Sequence, residues 1–254
     1  MQKWTVRLVV LQTVAANLGS MLTPMGNPQN LYLYARSGMG MGEFCLLMLP
    51  YVLLSGGCLA VAAAAGKNAS IPEISAAATL GSPRYLLFCV LGFIICLLGI
   101  FNIIPPVAIA AVTAVFLIFT DRRLLAAVDY SLLGTFIAFF IFIGNLEHIE
   151  AFRNIIASLL EGHVRLMAVL TSQIISNVPA ALLLSGFTNQ WEELIVGCNI
   201  GGLGTMIASM ASLISYKLLI KEYPEKRRKY FLWFTVFNAG MLALLLLFGW
   251  LLGL

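Results

Sequence analysis

Long apolar runs follow one another along the whole chain, and three of them are broken by polar residues, glycine and proline. Residues 8–35 are interrupted by NLGSMLTPMGNPQN (17–30), which holds three asparagines, two glycines and two prolines. Residues 163–187 are interrupted at Ser176, Asn177 and Pro179, and residues 191–216 at Asn199, Gly201, Gly202, Gly204 and Thr205. Glycine and proline weaken a helix interior, and backbone freed from a helix in lipid is costly unless something satisfies it. Breaks of this kind therefore predict backbone lining a polar cavity near mid-membrane. The stretch 171–215, with two breaks close together, is the one the rest of the chain is expected to support.

The unbroken runs fill in the outline. Residues 43–66 read as a continuous apolar helix, and KNASIPEISAAATLGSPR (67–84) as a polar linker at the membrane surface. Helices follow at about 85–101 and 105–120, separated by a tight turn at 102–106 and capped by Asp121, Arg122 and Arg123. Residues 130–146 are long enough to span. His148, Arg153 and Glu161 then recur at helical spacing over 147–162, which suits a helix lying in the interface. The run 163–187 could cross once, since a crossing needs about 20 residues. Its central break favours a re-entrant hairpin instead. The chain closes with a basic loop at 217–230 and a last helix at 231–254.

Composition and charge sharpen this picture. Of 254 residues, 61% are hydrophobic and 10% charged, against about 25% charged in a soluble domain. The fold class expected is an all-α polytopic membrane protein. A net charge of +4 is no nucleic-acid signal, because the basic residues flank apolar runs. If 163–187 enters and leaves on one side, twelve of the fifteen basic residues share a face: Lys3, Arg7, Lys67, Arg84, Arg122, Arg123, Lys217, Lys221, Lys226, Arg227, Arg228 and Lys229. Arg36, Arg153 and Arg165 are left on the other. By the positive-inside rule the twelve are cytoplasmic, and the C-terminus lies outside. The five cysteines sit inside apolar runs, and His148 and His163 lack metal-ligand spacing. No nucleophile–base set suggests an enzyme.

Shifting the sequence by 182 residues aligns the first and last breaks without a gap. Asn17 falls on Asn199, Gly19 on Gly201, Thr23 on Thr205, Val14 on Val196, Leu31 on Leu213 and Tyr34 on Tyr216. In the topology above the two spans run in opposite directions, so the chain carries an inverted repeat, whose interface is the usual place for a substrate site. The division that follows is 1–42 as a remnant of the first repeat, 43–84 as connecting helix and cytoplasmic linker, and 85–254 as the second repeat. In the second repeat Asn177 precedes Asn199 by 22 residues; the same offset from Asn17 points before residue 1. The first repeat is therefore expected to lack its hairpin, through truncation of the chain or supply of the missing half-repeat by another chain.

The breaks contain no Asp or Glu. They offer amides, hydroxyls and backbone carbonyls, which suit a dehydrated Na⁺, while half-helix N-termini favour an anion. The candidate substrate and ion ligands are Asn17, Ser20, Thr23, Asn27 and Asn30 from one side, and Ser176, Asn177, Asn199, Gly202 and Thr205 from the other. Na⁺ is the one candidate bound metal ion, at Ser176, Asn177, Asn199 and Thr205. Helix capping is the alternative role for Asn177 and Asn199. Helix packing is the alternative for Gly197-x-x-x-Gly201.

The segments NLGSMLTPMGNPQN (17–30), SQIISNVPAALLL (172–184) and NIGGLGTMIASMASLIS (199–215) resemble the ion transporter superfamily, which includes arsenite permeases, Na⁺/H⁺ antiporters, citrate transporters and divalent-anion/Na⁺ symporters. The resemblance implies an elevator-type carrier in which hairpins and broken helices enclose the substrate. In the symporters a Ser-Asn-Thr hairpin tip helps to bind Na⁺ and a carboxylate. Here the tip reads Ser176-Asn177-Val178, without the threonine hydroxyl. Gly26-Asn27-Pro28 stands where many antiporter and permease relatives carry an Asp. The expected function is secondary transport of a small anion, citrate- or dicarboxylate-like or an inorganic oxyanion, across the cytoplasmic membrane, with Na⁺ as candidate coupling ion and a homodimer as candidate assembly. Arsenite permeation, Na⁺/H⁺ antiport and a non-transporting membrane subunit or inactive fragment are the alternatives.

Overall fold

Helices account for all the regular structure in the computed structural model, which describes residues 5–66, 82–101, 103–120 and 122–253. The linker expected over 67–84 lies outside the described residues as far as 81, as do Lys3, Asn102 and Asp121. The chain gathers into two units, Met1–Ala69 with Ala138–Leu254, and Ser70–Ile137.

In the larger unit the first apolar run is broken as its composition predicts. Helix α1 (Thr5–Gly19) ends at the break, two short 3-10 turns (Ser20–Leu22 and Pro24–Gly26) cross it, and α2 (Pro28–Ser37) resumes. Asn27 caps α2, its side chain accepting from the Asn30 amide at 3.0 Å, with Pro28 at the first helical position. Gly38, at φ +68, ends α2 in the left-handed conformation usual for that role. Helix α3 (Met41–Ala64) runs unbroken through Pro50. Its buried residues, Phe44, Met48, Tyr51 and Ser55, fall at helical spacing on one stripe, while Leu46, Leu53 and Val61 on its other faces are exposed. A helix that is apolar all round and buried along one stripe is built to face lipid.

The smaller unit holds α4 (Pro83–Ile100), α5 (Pro106–Thr120) and α6 (Arg122–Ala126). Helices α4 and α5 pack together, with Phe88 and Phe116 ring centroids 5.6 Å apart. Helix α7 (Tyr130–Glu147) carries the chain on to α8 (Glu150–Leu160), which departs from it at 98°. That turn falls at the polar set beginning with His148, where the sequence predicts the chain to leave the direction of a crossing.

The run 163–187 folds as the predicted hairpin. Helix α9 (Val164–Ile175) and α10 (Asn177–Leu184) are separated by Ser176 alone, and α10 packs back along α9. Ser176 has φ +76, the one non-glycine residue among those described with a positive φ. Helix α11 (Trp191–Ile200) lies along α9 so closely that a Cβ on Gly197 would come within 2.7 Å of Ala168 Cβ and of the Arg165 carbonyl oxygen. Gly197 therefore does serve close helix packing. Arg165 and Glu193 join the same two helices by an ion pair at 2.6 Å. After an irregular stretch, α12 (Met210–Glu222) and α13 (Arg227–Leu251) complete the unit. Val6, Val10, Leu219, Tyr230 and Phe234 form the core that joins α1, α12 and α13. Among the described residues three helical segments, Thr5–Leu22, Met41–Ala64 and Pro224–Leu251, are long and apolar enough to cross a membrane. The protein is an all-α, multi-pass membrane protein.

Candidate functional site

The two breaks meet through three asparagine side chains. Asn199, in the last turn of α11, is 3% exposed, and its Oδ1 accepts from Asn27 Nδ2 at 3.3 Å. Asn199 Nδ2 donates to Asn30 Oδ1 at 2.6 Å and to the Ile195 carbonyl at 2.8 Å. Asn30 is fully buried, and its Nδ2 reaches the carbonyls of Met21 (3.4 Å) and Thr23 (3.3 Å) within the first break. Ser20 donates to the Asn17 carbonyl at 2.9 Å and lies 3.4 Å from Asn27 Nδ2. Asn17 Oδ1 in turn accepts from Ser209 Oγ at 2.8 Å, while its buried Nδ2 has no hydrogen-bond partner among the described residues.

These links are reciprocal under the 182-residue shift. Asn17 corresponds to Asn199 and Asn27 to Ser209, so the Asn199–Asn27 contact and the Asn17–Ser209 contact are one contact made twice. The helices obey the same shift: α2 begins at Pro28 and α12 at Met210, while α1 and α11 end one residue apart on that scale, at Gly19 and Ile200. A self-complementary interface of this kind is what a two-fold relation between repeats produces. The two breaks form one crossing.

The hairpin tip closes on the second break. The Asn177 amide donates to the Ala208 carbonyl at 2.9 Å, and Ser176 Oγ reaches the same oxygen at 3.3 Å. A Cβ on Gly202 would stand 2.9 Å from Asn177 Nδ2, so glycine is what lets the tip approach. The structure thus joins Asn17, Ser20, Asn27, Asn30 and Asn199 by direct hydrogen bonds, with Thr23 contributing its carbonyl. It places Ser176 and Asn177 beside Gly202 and Ala208. Thr205 is exposed, and its hydroxyl bonds to the Gln173 carbonyl at 3.1 Å. Among the described residues no hydrogen bond links Asn199 or Thr205 to Ser176 or Asn177, and no group of three or more His, Cys, Asp and Glu side chains could hold a metal.

Residues 2–188 match the protein family described as "Citrate transporter". The chain belongs to the citrate transporter family. The match takes in the first break and the hairpin tip and stops short of Asn199. This citrate transporter family member is similar to an uncharacterized transporter of Methanocaldococcus jannaschii, 37% identical over 214 residues, and to the inner membrane protein YbiR of Escherichia coli K12, 30% identical over 224 residues. Each likeness covers 84% of the chain and 58% of the relative, so the chain spans somewhat over half the length of these relatives. No solved structure matches it. The family agrees with the resemblance of the three segments to the ion transporter superfamily.

One residue central to the second break does not stand out in the sequence. Gln173, one turn before the hairpin tip, donates through Nε2 to the carbonyls of Gly201 (2.9 Å) and Leu203 (3.0 Å), and its Oε1 accepts from the Thr205 amide at 2.8 Å. A single side-chain amide thereby satisfies three backbone groups that the unwound chain leaves open. Its one signal is a polar residue inside an apolar run, SQII, before the tip. Gln173→Leu strips all three bonds at once. Hydrogen exchange at the amides of 203–205 is expected to quicken by about tenfold, for a local loss of about 1–2 kcal/mol. Unchanged protection there would show that the break holds itself.

Proposed function

We propose that the chain is a secondary carrier, and not an enzyme, that moves a small anion of the citrate or dicarboxylate type, or an inorganic oxyanion, across the cytoplasmic membrane. The observation that carries this reading is the crossing itself: two broken helices bonded reciprocally through neutral amides, with a hairpin tip closed over one of them. Neutral donors such as Asn17 Nδ2 and the Asn177 side chain suit an anion, because they bond it without bringing a competing charge into the membrane. Oxygens of Ser176 and Asn177 at the hairpin tip, with the Ala208 carbonyl of the second break beside them, suit a coupling Na⁺; in this reading Asn199 and Thr205 position the break from behind. The crossing and hairpin travel together in an elevator motion, and the basic loops face the cytoplasm.

Uptake into proteoliposomes containing the purified chain alone tests this. Labelled citrate is expected to accumulate under an inward Na⁺ gradient, with sulfate and arsenite as comparison solutes. In Asn177→Ala the Na⁺ stimulation is expected to vanish while the protein still inserts. Uptake indifferent to Na⁺ would remove the coupling ion from the reading. No uptake of any of the three solutes would favour a non-transporting subunit.

A further inference from the structure

In the topology expected from the basic loops, three arginines, Arg36, Arg153 and Arg165, are left on the face nearly free of cations. Arg165 is matched by Glu193. Arg36 and Arg153 make no ion pair among the described residues, and they line one cavity of about 720 Å³ together. Arg36 stands in the last turn of α2, where a cation complements the helix dipole, so its place has an ordinary structural reason. Arg153 has none. It stands in the first turn of α8, the end at which a cation is disfavoured. Helix electrostatics opposes it, as does the topology expected from the basic loops, and it is exposed without an ion pair among the described residues.

The cavity is joined to the crossing by two short helices. Helix α2 starts at the Asn27 cap and ends beside Arg36; α10 starts at Asn177 and ends beside Ser185, which also lines the cavity. Ten and eight helical residues span about 15 and 12 Å. The Tyr32 and Ser185 hydroxyls, 2.8 Å apart, clasp the two helices together. One carboxylate, Glu161, lies in the same wall, so the two guanidinium groups leave one positive charge in excess. Guanidinium forks match carboxylate and oxyanion geometry, and an unbalanced positive cleft raises the local concentration of anions.

We propose that this cavity is an anion vestibule, in which Arg36 and Arg153 gather a solute bearing two or more negative charges and deliver it along α2 and α10 to the crossing. The proposal rests on the anion-carrier reading, but its binding step can be measured without transport. Trp191 lines the cavity and serves as the probe. Citrate titrated into the purified chain at low ionic strength is expected to change tryptophan fluorescence saturably, and Trp191→Phe to abolish the change. In Arg36→Gln/Arg153→Gln the apparent affinity is expected to fall by about tenfold or more, whereas Arg→Lys at both sites retains part of it by charge alone. In proteoliposomes the double glutamine variant is expected to raise KM and leave Vmax unchanged. A titration unaltered in that variant overturns the proposal. So does displacement of citrate by nanodiscs rich in anionic lipid but not by zwitterionic ones, which would assign the arginines to a lipid phosphate. An intact titration with no uptake would retain the vestibule and reject the carrier.

Discussion

Asn199→Leu is expected to abolish the proposed citrate uptake and to lower the melting temperature in the same protein. Leucine keeps the branched outline of asparagine, with two bulkier methyl groups, and removes its amide. Asn199 joins α11 to the first break through both polar atoms of its side chain, Oδ1 to Asn27 and Nδ2 to Asn30. Asn30 is fully buried, so its Oδ1 would be left without a partner, at about 1–3 kcal/mol. Native domains are stable by only about 5–15 kcal/mol, so a fall of several degrees in a circular-dichroism melt is expected. Asn17→Leu removes the repeat-related contact, but only one hydrogen bond with it, and a smaller fall is expected there. Uptake by Asn199→Leu at the wild-type rate would mean that the amides hold the fold without contributing to transport.

Gly26→Ala is expected to be more damaging still, although it adds one carbon. The new Cβ would lie 1.8 Å from the Ser20 carbonyl oxygen, 2.6 Å from its carbon and 2.9 Å from its Cα. All three are backbone atoms of the preceding 3-10 turn, so no side chain can swing away. The first break must be rebuilt, and Asn27, the next residue, loses its position toward Asn30 and Asn199. Ordinary overpacking costs about 1–3 kcal/mol, and a backbone-on-backbone overlap exceeds that. Fluorescence-detected size exclusion would show loss of the monodisperse folded peak. Gly19→Ala, where nothing beyond its chain neighbours and its own helix backbone lies within 4 Å of the added carbon, is the matched control. A Gly26→Ala protein with the control's melting temperature would reject the overlap.

The breaks were legible because their composition is at odds with their surroundings. Glycine, proline and asparagine inside apolar runs have few structural explanations in a membrane, and the structure breaks α1–α2, α9–α10 and α11–α12 at those places. The repeat was legible for the same reason, since Asn17 and Asn199 match where polar residues are unexpected. What joins the breaks was not legible. Asn27 and Asn199 are 172 residues apart, and Gln173 reads as one more polar position on a hairpin arm until the carbonyls of 201 and 203 are seen to point at it. Side-chain satisfaction of broken backbone is settled by tertiary approach, which periodicity does not encode. The partnership of Arg165 with Glu193 was hidden in the same way, across 28 residues and two helices.

Asn27, Asn30 and Asn199 already hold one another, and this limits how tightly their amides could grip a solute. A solute that binds these amides must first break bonds the amides make among themselves, each worth about 0.5–1.5 kcal/mol. Displacing two weakens binding by roughly 10- to 100-fold relative to amides with nothing to lose. In the proposed carrier that handicap leaves the cargo to Asn17 Nδ2, which has no such bond to break, and to the hairpin tip, with the three interlocked amides as a fixed backstop behind them.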